Sequence, residues 1–285
     1  MNANPILTQP RELDLTQRND LDHNSRYRIH HDWSSPYLEH ARDVTVYLPE
    51  IYDAEPERSF PVLYMHDGQN LFDGRLSYVP GSTWRAGATL DTCIAEGLVE
   101  PLILVGIANA GSARMSEYTP VPDPKLGGGG GPLYAKAIVE DLIPWMGSEY
   151  RLANEREETG IAGSSLGGLI SLWMGFEYPE IFGKVGALSP SLWWNGRSLL
   201  SDAGKLALTS RPRIWLDMGL EEGALHLRNT DLLARTLTQR GWVSGRDLHY
   251  QRVWQGTHSE ASWASRFAEV LSFLHPAPKP SRNSR

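Results

Sequence analysis

The chain predicts an α/β protein: a mostly parallel central sheet of about eight strands, covered by helices on both faces. Two observations carry that expectation. Short apolar runs alternate with longer helical patterns along most of the sequence. Most of these runs are continuously apolar, as strands buried on both faces must be. A length of 285 residues is enough for one large core.

The strands read in order as Tyr27 to Trp33, Asp43 to Leu48, Pro61 to His66, Leu102 to Ile107, Gly160 to Gly163, Lys184 to Ser189, Arg213 to Gly219 and Leu248 to Trp254. Helical patterns fall between them at Leu90 to Glu96, Leu133 to Tyr150, Leu166 to Tyr178, Thr230 to Arg240 and Ala261 to Leu274. Residues 1–26 are polar with little period and read as a loose tail. The prolines from Pro276 to Pro280 cannot continue a helix, so residues 276–285 read as a disordered tail. A single domain over 27–275 is expected between them.

Composition removes several function classes. Lys and Arg number 27 against 34 Asp and Glu, a formal charge of −7, which argues against nucleic acid as a partner. A hydrophobic content of 41% excludes a disordered chain. The single cysteine, Cys93, excludes an internal disulfide and sits among apolar residues as a core thiol. Met1 to Pro5 carries neither a basic nor an apolar leader segment. No apolar run approaches the roughly 20 residues of a membrane span. A cytoplasmic protein without membrane contact is therefore expected, with its oligomeric state open.

In a parallel sheet, ligands collect beyond the carboxyl ends of the strands. Just there, Gly163-Ser164-Ser165-Leu166-Gly167 fits G-x-S-x-G and runs straight into a helical pattern. A sharp strand-to-helix turn strains its central residue, and small neighbours two positions either side let it close. Ser165 is the candidate nucleophile, with the Leu166 N–H aimed at an oxyanion. A serine needs a histidine base, and the histidine needs a carboxylate to hold its tautomer. Of the histidines downstream, His226, His249, His258 and His275, only His258 lies on a loop leaving a strand's carboxyl end. Three carboxylates lie near the end of the preceding strand: Asp217 within it, Glu221 and Glu222 just after it. The residues alone leave the choice among them open.

Further stretches make the pattern specific. They are Val46-Tyr47-Leu48-Pro49, Tyr64-Met65-His66-Asp67-Gly68-Gln69-Asn70, Val105-Gly106-Ile107-Ala108-Asn109, Arg114 with Glu117-Tyr118-Thr119-Pro120, Ser189 to Trp194, and Gly256-x-His258-x-Glu260-x-x-Trp263. Together they resemble the esterase family of α/β-hydrolases that takes in enterochelin-type siderophore esterases, feruloyl esterases, S-formylglutathione hydrolases and mycolyltransferases. The resemblance covers about Arg42 to Leu274. It implies an α/β-hydrolase fold and a serine carboxylic ester hydrolase with Ser165 as nucleophile and His258 as base. It implies Glu222 as the acid, since relatives often place it at that point of Gly-Thr-x-Glu; here Leu220 replaces the threonine, and Glu221 and Asp217 are the alternatives. The second oxyanion donor falls to the backbone of Gly68 or Gln69. No metal or organic cofactor is implied, and the partner is a small-molecule ester of aryl, siderophore or sugar type. Acyl transfer by the same triad and a non-catalytic binding module are the rival functions.

His66 and Asp67 could look like a metal pair, but structural hydrogen bonding fits the lack of further spaced ligands better. Trp193, Trp194, Arg114, Tyr118 and Trp263 are expected around the substrate, with at most one of the two consecutive tryptophans in the core. Arg114 could instead pair with Glu117. The five glycines Gly127 to Gly131 lack the Gly-Lys-Ser/Thr of a P-loop and read as a mobile loop, with a lid as the bolder reading.

Overall fold

A computed structural model describes residues 26–153, 155–207 and 210–278. The expected tails therefore lie almost entirely outside the described residues. An eight-stranded sheet runs in the order β1-β2-β4-β3-β7-β8-β9-β10. Its strands are β1 (Tyr27–Trp33), β2 (Arg42–Tyr47), β3 (Val62–His66), β4 (Ile103–Ile107), β7 (Thr159–Ser164), β8 (Lys184–Leu188), β9 (Arg213–Gly219) and β10 (Leu248–Val253). The pairs β1·β2 and β2·β4 are antiparallel, and every other neighbouring pair is parallel. Strands β3, β4, β7 and β8 are buried at every residue, which explains the apolar runs of β3 and β4.

Helices cover both faces. One face packs Leu169, Leu172, Leu233 and Leu237 against Val105, Ile161 and Val185. The other packs Leu90, Cys93, Phe267 and Leu271 against Leu63, Met65 and Trp215. The helices are α1 (Ala86–Ala95), α2 (Arg114–Glu117), α3 (Gly131–Lys136), α4 (Ile143–Glu149), α5 (Leu166–Glu177), α6 (Trp194–Ala203), α7 (Ala224–Gln239), α8 (Glu260–Ala264) and α9 (Phe267–Leu274).

Several boundaries differ from the sequence reading, each for a physical reason. The pattern from Leu133 to Tyr150 is one helical course, but Ala137–Leu142 is wound as a π-helix between α3 and α4. The stretch Ala261 to Leu274 breaks into α8 and α9, where Arg266 leaves helical geometry (φ −114°, ψ 4°). Helix α7 starts at Ala224, six residues before its apolar face becomes visible at Thr230. Helix α6 was not expected, and left-handed backbone at Asn195, Gly196 and Arg197 kinks its first turn.

The five glycines fall in a hairpin and the turn behind it. Gly127–Gly128 (β6) pairs with Pro122–Asp123 (β5) in a small hairpin. Behind it the Gly129 N–H donates to Thr119 Oγ1 at 2.9 Å, and Gly130 and Gly131 donate to the Ser116 and Thr119 carbonyls. Gly128 has φ 85°, and a Cβ there would fall 2.4 Å from Thr119 Oγ1 and 2.7 Å from the Trp194 ring. Small size and left-handed backbone explain this glycine.

One buried ion pair ties the antiparallel end of the sheet to α2. Arg42 on β2 donates to both oxygens of Glu117 at 2.7 and 2.8 Å. Their side chains are 1% and 8% exposed, so neither charge has water as an alternative partner. Arg42→Ala should lower unfolding free energy by about 3–5 kcal/mol, because it strands the Glu117 carboxylate. A urea melt with an unchanged midpoint would show that Glu117 finds another partner.

Candidate active site

Six loops leave the carboxyl ends of β3, β4, β7, β8, β9 and β10 on one side of the sheet, and the candidate residues lie on them. Ser165 follows β7 near the middle of the sheet. Its backbone is at φ 57°, ψ −121°, a conformation costing a non-glycine residue about 1–3 kcal/mol. The turn closes because two glycines touch: a Cβ on Gly163 would lie 2.8 Å from the Gly167 carbonyl carbon. Three backbone bonds hold it, from Ser165 N to Leu188 O, from Leu169 N to Ser165 O and from Ser191 N to Ser165 O.

The Ser165 Oγ lies 3.0 Å from His258 Nε2, and His258 Nδ1 lies 2.6 Å from Glu222 Oε2. The imidazole is half-exposed while the Glu222 side chain is 3% exposed. Burial pushes the Glu222 carboxyl up, but hydrogen bonds from His258, Ser189 and the Gly219 N–H outweigh it and hold the group below its usual value. It therefore stays an anion facing the imidazole.

The three candidate acids separate by what they touch. Glu221 is exposed. Asp217 is fully buried and receives both arms of Arg266, at 2.8 and 2.9 Å, and the Trp215 Nε1–H at 2.7 Å. Only Glu222 reaches His258. Its other oxygen accepts from the Ser189 hydroxyl at 2.6 Å and from the Gly219 N–H at 3.0 Å.

Ser189 was not singled out by the sequence, yet it joins these groups. It follows β8 with φ 44°, and its oxygen receives Trp263 Nε1 and Arg266 Nη2, each at 3.0 Å. With both lone pairs taken, its proton is directed to Glu222. The signal available in the sequence was only Ser189-Pro190-Ser191 after a strand. Ser191 also contacts the site, with its Oγ 3.3 Å from Ser165 Oγ.

On the other flank, Gly68–Asn70 forms a 3-10 turn after β3. The N–H groups of Gly68 and Gln69 open this turn, and that of Leu166 opens α5, positions where a backbone donor has no intrahelical acceptor. Gly68 can bear no side chain, since a Cβ would sit 2.4 Å from the backbone of Gly106. The turn is anchored by Asp67, at φ 58°, which receives a two-pronged bond from Arg114 at 2.7 and 2.8 Å and one from Asn109 at 2.6 Å. Burial pushes Asp67 up, but Arg114 and Asn109 overcome it and keep its carboxyl low. Arg114 thus pairs with Asp67, and Glu117 with Arg42, so the alternative Arg114–Glu117 pair does not form.

His66 lies 2.9 Å through Nδ1 from Tyr134 Oη, and burial drives it down to about 3, so it is neutral. His66 and Asp67 are engaged with protein partners rather than arranged as a metal pair. Among the described residues, Glu100, Glu158 and His275 converge at the opposite end of the sheet. There the Lys184 ammonium occupies the space between them, 3.0 Å from His275 Nδ1 and 3.3 Å from Glu158.

The expected substrate-side residues divide. Tyr118 and Trp194 are buried, at 0% and 1% exposure, and belong to the core. Trp194 spends its indole N–H on the Val121 carbonyl, and Tyr118 Oη receives the Asp67 N–H. Trp193 is 37% exposed. Trp263 is buried edge-on against the His258 ring, with centroids 4.9 Å apart. Arg114 remains partly exposed beside the Gly68–Asn70 turn.

The sequence family described as "Putative esterase" matches residues 35–274. The chain belongs to this family. It is therefore an esterase, a carboxylic ester hydrolase, of α/β-hydrolase fold. It is 30% identical to the uncharacterized protein YbbA of Bacillus subtilis, over 82% of this chain and 92% of that one. It is 28% identical to the iron(III) salmochelin esterase of Escherichia coli, over 82% of this chain but 54% of the relative. With the iron(III) enterobactin esterase of Dickeya dadantii it shares 23% identity over 89% of its length and 56% of the relative. The chain thus spans about half the length of these two siderophore esterases. In fold the esterase resembles the BES protein from Bacillus cereus, with a TM-score of 0.69 at 20% identity over 88% and 95% of the two chains. It also resembles the enterobactin esterase of Shigella flexneri, with a TM-score of 0.66 at 21% identity over 87% and 59%. No helix among the described residues is long and apolar enough to cross a membrane.

Ser189→Ala removes the donor to Glu222 and the acceptor of both Trp263 and Arg266. Esterase activity should fall, and stability should drop by about 1–3 kcal/mol. Activity and melting temperature both at the wild-type value would show that water replaces the hydroxyl.

Proposed function

We propose that the esterase hydrolyses small carboxylic esters through a Ser165–His258–Glu222 triad and an acyl-enzyme. The observation that carries this reading is the unbroken line from Ser165 Oγ through His258 to the buried Glu222. His258 takes the serine proton at Nε2 as Oγ attacks the ester carbonyl, while Glu222 holds the Nδ1–H tautomer and faces the imidazolium that forms. The N–H groups of Leu166 and of Gly68 or Gln69 receive the oxyanion. The imidazolium then protonates the leaving alcohol, and water attacks the acyl-enzyme by the same route. The half-exposed imidazole leaves water a path to the acyl-enzyme.

The substrate reading is a siderophore-type or other aryl ester. Its support is the named activity of the salmochelin and enterobactin esterases, together with the endo-1,4-beta-xylanase/feruloyl esterase of Xylanibacter ruminicola, 27% identical over 60% of this chain and 22% of that one. An exposed Trp193, two residues beyond Ser191, suits an aromatic group.

Ser165→Ala should reduce hydrolysis of a 4-nitrophenyl ester by at least roughly a thousandfold and abolish labelling by a fluorophosphonate probe. Glu222→Gln should cost between about 10-fold and 10⁴-fold in kcat, whereas Glu221→Gln stays within about twofold. Retained turnover in Ser165→Ala, or a larger loss at Glu221, would reject the assignment.

A further inference from the structure

Glu260 is a buried acid that the proposed triad does not use. It stands two residues after His258, at the start of α8, and is 9% exposed. Its side chain does not turn back to cap its own helix. Oε1 accepts from Asn70 Nδ2 at 3.0 Å, and Oε2 accepts from the Trp84 indole N–H. Asn70 closes the Gly68–Asn70 turn that carries the candidate oxyanion donors. The rest of Asn70 is fixed as well: its Oδ1 receives the Tyr78 N–H and the Ser77 hydroxyl, and its carbonyl receives the Trp84 N–H.

This bond spans a distance the sheet does not control. β3 and β10, which launch the two loops, are four strands apart in the order β3-β7-β8-β9-β10. At about 4.8 Å per step that is roughly 19 Å, with the sheet's twist added across it. The loops must nevertheless meet at Ser165 with ångström accuracy, because oxyanion donors and base act on one carbonyl. The Glu260 carboxylate joins them directly, and the Trp84 ring packs behind it against Phe267 and Trp263.

We propose that Glu260 is a positioning residue, which as a carboxylate clamps the oxyanion turn to the histidine loop and so sets the geometry of the esterase reaction. The inference rests on the Ser165–His258 reading. The ionised form is the one the neighbours ask for, since both facing groups are N–H donors. Its titration is nevertheless within reach. Burial pushes Glu260 up to about 7; the Trp84 bond opposes the shift, Asp67 from the oxyanion loop adds to it, and Arg114 from α2 and His258 from its own loop oppose it. The carboxylate is thus lost as pH falls through neutrality, and the clamp with it. His258 must also be unprotonated to act as base, so both requirements fail on the acid side.

The test is the pH profile of kcat/KM for a 4-nitrophenyl ester in wild type, Glu260→Gln and Trp84→Phe, with circular dichroism as a check on folding. Wild type should lose activity on the acid side with a limiting slope near two, one proton on His258 and one on Glu260. Glu260→Gln keeps the volume but presents an NH2 group to one of two donors. It should lower kcat by about tenfold or more with little change in KM, and reduce the slope to one. Trp84→Phe removes one donor to the carboxylate, so Glu260 rises further and the acid limb should move to higher pH. A wild-type slope of one, or a Glu260→Gln profile that overlays the wild type, would overturn the clamp. Either result leaves the triad standing as long as Ser165→Ala is inactive.

Discussion

Everything at the candidate site depends on a turn that only two glycines permit. Ser165 is held at φ 57° in a turn where Gly163 and Gly167 approach so closely that a Cβ on Gly163 would lie 2.8 Å from the Gly167 backbone. The strain is offset locally, by backbone bonds to Leu188, Leu169 and Ser191, each worth about 1 kcal/mol. The same close packing extends outward. A Cβ on Gly167 would lie 3.2 Å from His66, and one on Gly68 would strike Gly106. The Ser165 turn and the end of β3 are therefore set against each other through Gly167 and the buried side chains of His66 and Asp67.

The second organising element is a run of buried polar groups that leaves few alternatives. Trp215 and Arg266 take up Asp217, Arg266 and Trp263 take up the Ser189 oxygen, and Ser189 in turn donates to Glu222. Arg266 neutralises Asp217, and its bond to Ser189 leaves that hydroxyl no acceptor but Glu222. The consequence is that two carboxylates on one strand and its loop have separate duties. Asp217 is a structural acceptor, and Glu222 is the anion presented to His258.

The fold was legible because burial on both faces writes itself into the sequence as unbroken apolar runs. β3 and β4 were visible for that reason. Ser165 and His258 were legible as well, because a strand-turn-helix motif and a loop after a final strand are local features. What depends on long-range partners was not. Arg114 could face Glu117 or a substrate by sequence, and the choice is made by Asp67, 47 residues away. Trp193 and Trp194 are indistinguishable as letters, but a left-handed kink at Asn195 to Arg197 follows them, and the Val121 carbonyl takes the second indole inward. The five glycines looked mobile because flexibility is glycine's usual meaning, whereas here Gly128 is the residue small enough to pass between Thr119 and Trp194.

The buried charges at the two ends of the sheet differ in a way that bears on chemistry. At the amino ends one cation, Lys184, lies between the two carboxylates of Glu100 and Glu158 beside His275, which burial drives down to about 4. Such a cluster is closed: every anion has a cation within 4 Å. At the carboxyl ends Asp67 and Asp217 are likewise matched by Arg114 and Arg266. Glu222 and Glu260 have no such arginine or lysine in contact: Glu222 faces the His258 imidazole, and Glu260 accepts from Asn70 and the Trp84 indole. An anion buried beside a neutral base favours the state in which that base gains a proton. In the proposed triad Glu222 faces the imidazolium that forms as Ser165 attacks, and a carboxylate so buried stabilises that charge.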